Sequence, residues 1–210
     1  MRQFPIARES LPYAAVLLAL AFLVWLWKPA AGVFPLLLLG GVLFFFRNPE
    51  RKVPEGEGLV VSPADGVVLG VEQVEENEFL KEPTRRVSIF LSLFDVHVNR
   101  SPIEGKIRYF RYQQGRCIPA YRKEASFLNE RNLIGIEGEG LKVLVVQIAG
   151  LVARRVVCWA KLDSDIKRGE RLGLIKFGSC VEVYLPLSVG IEVKKGDRVR
   201  AGETVLGRVK

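Results

Sequence analysis

KFGSCVEVYLP, residues 176–186, lies between two runs of apolar β-type residues about thirty residues before the C-terminus. Its reading decides how the chain folds and what chemistry it carries. A Gly-Ser pair pinned between two strands is commonly an ordinary turn. It is also suited to backbone self-cleavage, because the Ser179 hydroxyl can attack the carbonyl of Gly178 and β-elimination can then leave a ketone at the new N-terminus. Cys180 follows directly. A thiol is intrinsically the better nucleophile, so the 179/180 bond is a second candidate. Glycine leaves its carbonyl open to attack and favours 178/179.

Outward from this stretch the chain is short-stranded and rich in Val, Ile, Leu and aromatics. Val67 to Val74, Val87 to Leu93, Ile103 to Tyr112, Leu141 to Ile148 and Arg155 to Lys161 read as strands separated by glycine, proline or acidic turns. Only the stretch around Glu124 to Glu130 reads as helical. The composition therefore predicts an all-β body over residues 49–210. Ile166-Lys167-Arg168-Gly169-Glu170-Arg171-Leu172 is echoed by Val193-Lys194-Lys195-Gly196-Asp197-Arg198-Val199. Each reads as a strand, a tight turn and a return strand, a pattern that resembles the barrel-sandwich hybrid domains of biotinyl and lipoyl carriers. A non-catalytic, membrane-anchored carrier or adaptor is thus the alternative from another class. Carriers present a modifiable lysine in a setting such as Met-Lys-Met or Asp-Lys-Ala, and here the sole methionine is Met1.

Residues 1–48 are of a different kind. Leu11 to Trp27 and Ala30 to Phe46 are almost uninterrupted apolar runs broken by Lys28-Pro29. Each spans roughly 25 Å as a helix, the short end of what crosses a bilayer core. A two-helix membrane hairpin follows. Arg2 and Arg8 precede it and Arg47, Arg51 and Lys52 follow it, which places both ends and the β body on the cytoplasmic side of the cell membrane. A cleaved signal peptide at Pro29-Ala30-Ala31-Gly32 conflicts with the apolar run that resumes at once. A re-entrant hairpin stays open.

The net charge of +8 is spread through the strands, and no nucleic-acid fold signature accompanies it. On a tethered body it reads as attraction to anionic phospholipid headgroups. Cys117, Cys158 and Cys180 are odd in number and unpatterned for metal, which suggests reduced thiols. His97 is the sole histidine, so it is the one side chain that titrates near neutral pH by default. Strand alternation through residues 94–102 puts Asp95, His97 and Asn99 on one face and Val96 and Val98 on the other, a site rather than a core. Asp65 precedes Gly66 and reads, on its own, as a turn acid. Asn129-Glu130-Arg131-Asn132 reads either as a helix end with its cap or as a phosphate-holding segment, with Arg122 and Arg131 the candidate donors.

VSPADGVV (61–68), FLSLFDVHVNRSP (90–102), KEASFLNERN (123–132) and Gly178-Ser179 occur in this order. Together they resemble the phosphatidylserine decarboxylase proenzymes in their short bacterial and archaeal form, from about Phe46 to the C-terminus. The resemblance implies autocatalytic cleavage into a β chain (1–178) and an α chain (179–210) that stay together. The α chain would begin with a pyruvoyl group derived from Ser179, which forms a Schiff base with the substrate without a metal. It also implies conversion of membrane phosphatidylserine to phosphatidylethanolamine and carbon dioxide, or the same chemistry on an archaeal ether lipid. By the family pattern Asp65 acts with His97 and Ser179 in a triad-like group. A carboxylate on one imidazole nitrogen would leave the other free to take the serine proton. Longer members carry Asp-x-His-x-x-His-x-Pro, and here Arg100 stands in place of the second histidine, so that its share falls on His97 or on another group. The oligomeric state, up to a homo-oligomer, is open.

Overall fold

The structure, a computed structural model, describes residues 5–116, 118, 125–150, 156–176 and 179–209. It divides into two compact units, Met1–Glu50 and Arg51–Lys210. In the first, α1 (Leu11–Trp27) and α2 (Val33–Phe45) are joined by a tight 3-10 turn over Pro29–Gly32. Lys28 ends α1 in an extended conformation, since the residue before a proline is pushed out of the helical region. The ends of the unit are sewn together. Ala7 N–H donates to Phe46 O at 2.8 Å and Asn48 N–H to Pro5 O at 2.7 Å. Side chains such as Trp25, Trp27, Phe34 and Leu37 point outward and are exposed. The helix Arg8–Trp27 is long and apolar enough to cross a membrane. The second predicted run gives a helix of 13 residues, about 20 Å long, because its first residues are spent on the connecting turn.

The second unit is built from β1 (Leu59–Val61), β2 (Gly66–Glu76), β3 (Glu82–Leu91), β4 (Val98–Arg100), β5 (Gly105–Gln113), β6 (Arg131–Gly138) and β7 (Leu141–Ala149). It continues with β8 (Val156–Cys158), β9 (Asp165–Ile166), β10 (Arg171–Ile175), β11 (Ser179–Pro186), β12 (Val189–Ile191), β13 (Arg198–Val199) and β14 (Val205–Val209). A single short helix, α3 (Ala125–Leu128), interrupts the described strands. An eight-stranded sheet runs in the order β13-β2-β3-β11-β7-β6-β5-β9, and two three-stranded sheets, β1-β14-β12 and β4-β10-β8, accompany it. All pairings between named strands are antiparallel.

The β body expected from composition is therefore present, and the five predicted strands correspond to β2, β3, β5, β7 and β8. One large core, containing Ile89, Leu91, Ile134, Val145, Val181 and Val183, covers one face of the main sheet. A smaller cluster of Leu133, Leu144, Val146, Ile148 and Cys180 lies on the other. β7 is buried along almost its whole length and reads as a continuous apolar run, as a strand covered on both faces should.

Two expectations need correction. The segment 94–102 is not one alternating strand. Ser92 to Asp95 form a turn, with Asp95 N–H donating to Ser92 O at 3.0 Å, and only Val98–Arg100 pair as β4. Val96 through Arg100 are all buried, so the apolar and polar faces do not separate core from solvent. In the repeated motif the two turns do match. Lys167 N–H donates to Glu170 Oε2 at 2.8 Å, and Lys194 N–H donates to Asp197 Oδ2 at 2.9 Å, with Gly169 and Gly196 at positive φ. The flanking strands, however, do not return on each other. β9 pairs with β5 and β10 with β4 and β8, while β12 pairs with β14 and β13 with β2. The side-chain acid closes the turn locally, and long-range pairing decides where each arm goes.

Gly66 opens β2 at φ 153°, and a Cβ there would run into the Phe90 carbonyl oxygen. Backbone atoms of a paired strand cannot step aside, so Gly66→Ala combines strain of about 1–3 kcal/mol with that clash. The expected result is a fall of roughly 4–8 °C in the thermal midpoint measured in detergent. An unchanged midpoint would show that β2 can shift away from β3.

Candidate active site

Ser179 is the first residue of β11, opposite Leu91 of β3 on one side and Ala149 of β7 on the other. Pairing on both sides holds its backbone, and its side chain is fully buried. Ser179 Oγ has no hydrogen-bond partner among the described residues. A buried hydroxyl left this way costs about 1–3 kcal/mol. Gly178, the other half of the expected cleavage site, lies outside the described residues, as does Arg122.

His97 is fully buried in the segment between β3 and β4. Its main-chain oxygen accepts from Ile175 N–H at 3.3 Å, while Leu91 pairs with Ser179. The stretch 91–97 is thus tied at both ends to the stretch 175–179, and this double tie brings His97 and Ser179 to the same end of the fold. The imidazole Nδ1 lies 2.9 Å from Asp95 O. A carbonyl oxygen can only accept, so Nδ1 carries a proton. Asp95 is itself fixed. Oδ2 accepts from Ser92 N–H at 2.8 Å and Ser92 Oγ at 2.6 Å, and Oδ1 faces Arg198 at 3.1 Å.

The turn carrying Asp65 reaches the same end, since Arg100 N–H donates to Pro63 O at 2.8 Å and Val67 pairs with Phe90. The Asp65 carboxylate, however, is held by Arg51 Nη2 at 2.8 Å to both oxygens and by Ala201 N–H at 2.8 Å. The group on His97 Nδ1 is the Asp95 carbonyl and not a carboxylate. Arg100, where longer family members have a histidine, is buried and donates to Gly169 O at 2.8 Å. Burial, with the neighbouring Arg51 and Arg171, pushes its guanidinium down to about 10. It stays charged at neutral pH and cannot shuttle a proton there. Arg131, opposite Ile148 at the Ser179 end of β6, donates through Nε sideways to Gln113 Oε1 on β5 at 2.6 Å.

Cys180 points to the opposite face of the sheet, into the cluster of Leu133, Val146 and Ile148. Burial, and then the Glu182 carboxylate, push its thiol well above the usual range. Burial likewise raises Cys158 to about 11. Neither is a thiolate at neutral pH, and the one beside Ser179 faces away from it. Among the described residues no group of three or more His, Cys, Asp or Glu is placed to hold a metal ion.

Sequence reading missed a chain of buried amides on the Ser179 face. Gln147 Nε2 donates to Asn99 Oδ1 at 2.8 Å, and Asn132 Nδ2 lies 3.4 Å from Gln147 Oε1. The signal was there in Gln147, a lone amide in the apolar run Val143 to Ala149.

The sequence profile of the family described as phosphatidylserine decarboxylase matches residues 39–207. The chain belongs to the phosphatidylserine decarboxylase family. It is 52% identical over 196 residues to the phosphatidylserine decarboxylase proenzyme of Carboxydothermus hydrogenoformans, covering 93% of this chain and 91% of the relative. The proenzyme of Symbiobacterium thermophilum is 47% identical over 210 residues, covering 100% and 98%, and that of Syntrophus aciditrophicus 45% over 208, covering 96% of each. Membership decides against the carrier alternative.

The burial of Cys180 on the far face makes a specific prediction. Cys180→Ala removes one sulfur from a packed cluster, and the chain should still be cut at 178/179, as read by intact mass. Loss of the cut in a variant with an unaltered thermal midpoint would give the thiol a part in the reaction.

Proposed function

We propose that this chain is a proenzyme that cuts itself between Gly178 and Ser179 and works at the cell membrane. Family membership makes it a carboxy-lyase that converts phosphatidylserine to phosphatidylethanolamine and carbon dioxide. The observation that carries the self-cleavage reading is the Ser179 hydroxyl, buried at the head of a doubly paired strand with no partner among the described residues.

His97 Nε2 takes the proton of Ser179 Oγ, and the oxygen attacks the Gly178 carbonyl carbon. The peptide nitrogen leaves as the Ser179 amine, and an ester joins the two residues. Loss of the Ser179 α-proton then expels Gly178 as a carboxylate that carries the former serine oxygen. The remaining enamine takes up water and loses ammonia, leaving a ketone at residue 179. Asp65 is assigned to balance the imidazolium that forms at His97, exchanging its Arg51 partner to do so. A buried hydroxyl flanked by Leu91 and Ala149 fits the pyruvoyl group of the family. When formed, that group supplies a carbonyl for the substrate amine and a sink for the electron pair that carbon dioxide leaves behind. His97 then returns a proton to the α-carbon of the product, and the apolar walls exclude water from the site.

The helical unit anchors the chain, with the β body on the cytoplasmic side by the charge asymmetry of Arg2, Arg8, Arg47, Arg51 and Lys52. The matched acid-closed turns at Gly169 and Gly196 support a body related to barrel-sandwich hybrids.

Intact mass tests the cut. The wild type should give two chains, and Ser179→Ala a single chain of 23.5 kDa that still folds. A Ser179→Ala chain split at 178/179 would overturn the reading. His97→Ala should slow cleavage about a hundred- to ten-thousand-fold, the usual share of a general base. Cleavage at the wild-type rate would remove His97 from the reaction. Deleting residues 1–48 should leave cleavage intact and depress activity on vesicles far more than on a short-chain lipid. The discarded apolar surface contributes about 0.8 kcal/mol of membrane affinity per buried methylene. Equal loss on both substrates would make the helices part of the catalytic body.

A further inference from the structure

The core face of the main sheet is lined with Val, Ile and Leu except at one place. Gln147 lies two residues along β7 from Ala149, the partner of Ser179. Side chains two apart on a strand share a face, and diagonal neighbours on paired strands sit about 7–8 Å apart, within reach of a long side chain. Gln147 therefore extends over the same face as Ser179. From β4, Asn99 meets it, Oδ1 to Nε2 at 2.8 Å, and from β6 Asn132 lies opposite it in register. Asn99 and Gln147 are fully buried and Asn132 is 2% exposed.

The direction of this chain leaves two ends. Gln147 spends its amide hydrogen on Asn99 Oδ1, so the amino group of Asn99 is not needed to hold the chain together. Asn99 Nδ2 has no hydrogen-bond partner among the described residues, and neither has Asn132 Oδ1. An unspent donor in such a core costs about 1–3 kcal/mol. Gly173 faces Asn99 across β10, and a Cβ there would stand 2.8 Å from Gln147 Nε2 and run into the Val157 carbonyl oxygen. Asn99 is also two residues beyond His97. An oriented donor thus stands beside the two residues assigned to the reaction.

We propose that Asn99 Nδ2, held in place by Gln147, binds the carboxylate of the lipid headgroup. The inference rests on the proposed reaction at residue 179. The substrate amine must reach that residue, and its carboxylate is borne by the same carbon, whereas the phosphate is farther along the headgroup. A donor on the wall next to residue 179 therefore meets the carboxylate. A neutral amide also suits a group that must leave as uncharged carbon dioxide. A cation there would hold the carboxylate most strongly before the bond breaks and oppose its loss. This gives the reaction a partner for His97 that Arg100 cannot be.

Equilibrium binding in detergent to the full chain separates this role from a structural one. The two probes are dihexanoyl lipids, phosphatidylethanolamine and a phosphatidyl-3-hydroxypropionate that keeps the carboxylate but has no amine. Asn99→Ala should weaken the hydroxypropionate lipid by about 10- to 100-fold, the range for a hydrogen bond to a charged group, and leave phosphatidylethanolamine within about twofold. Asn99→Asp, close in shape, puts an acceptor where the donor was and should lose the same lipid at least as strongly. It serves if the alanine variant does not fold. Equal weakening of both lipids, or of neither, overturns the proposal. So does a loss of the 178/179 cut in Asn99→Ala, which would assign the donor to the precursor's own carbonyl. An uncut wild type would overturn self-cleavage, while the lipid preference would still decide Asn99.

Discussion

A strand hydrogen-bonded along both edges has no freedom to move its side chains, and β11 is such a strand. Its register with β3 and β7 fixes which residues face the main core and which face the other side. Ser179, Val181 and Val183 go one way, and Cys180, Glu182 and Tyr184 the other. A slip of one residue would exchange the two sets. That would bury Glu182 among Ile89, Val145 and Ile134 and carry the serine hydroxyl to the opposite face of the sheet. The far face prevents this. Glu182 accepts from Tyr184 Oη on its own strand at 2.9 Å and lies 3.8 Å from Arg86 of β3, a contact across strands that depends on the register. The apolar core and the charged cluster thus fix the same alignment from opposite sides of the sheet.

Much of this was legible along the chain. The strands announced themselves by β-branched and aromatic runs, and the family by the motifs around Ser179 and His97. What sequence could not supply was pairing across distance. Asn99 looked like part of an alternating strand, yet its use comes from Gln147, which is 48 positions away. Arg51 read as a basic flank of the membrane segment, and its guanidinium lies on Asp65. The repeated Lys-x-Gly-acid segments predicted two turns correctly because the acid closes each turn locally. They misled about the strands because partner choice is a long-range matter.

The state of Asp65 has a physical consequence for timing. Its charge is neutralised by Arg51 and capped by the Ala201 amide in the uncut chain. The imidazole meanwhile is oriented by the Asp95 carbonyl, which sets the tautomer without adding a negative charge. The Asp65 carboxylate would have to exchange its Arg51 partner to meet an imidazolium.

A cut between residues 178 and 179 would leave the two pieces bound by the fold itself. The α chain would own β11, β12, β13 and β14, and three of these pair directly with strands of the β chain. β11 lies between β3 and β7, β13 pairs with β2, and β14 pairs with β1. Separating the chains would mean stripping a central strand from the largest sheet and exposing Val181, Val183 and Leu185, each fully buried. At about 1.5–3 kcal/mol for each such side chain, that cost alone is comparable with the stability of a whole domain. A broken peptide bond at the head of β11 therefore leaves the sheet intact. The new terminus would stay where the serine stood, at the head of β11 on the core face of the sheet.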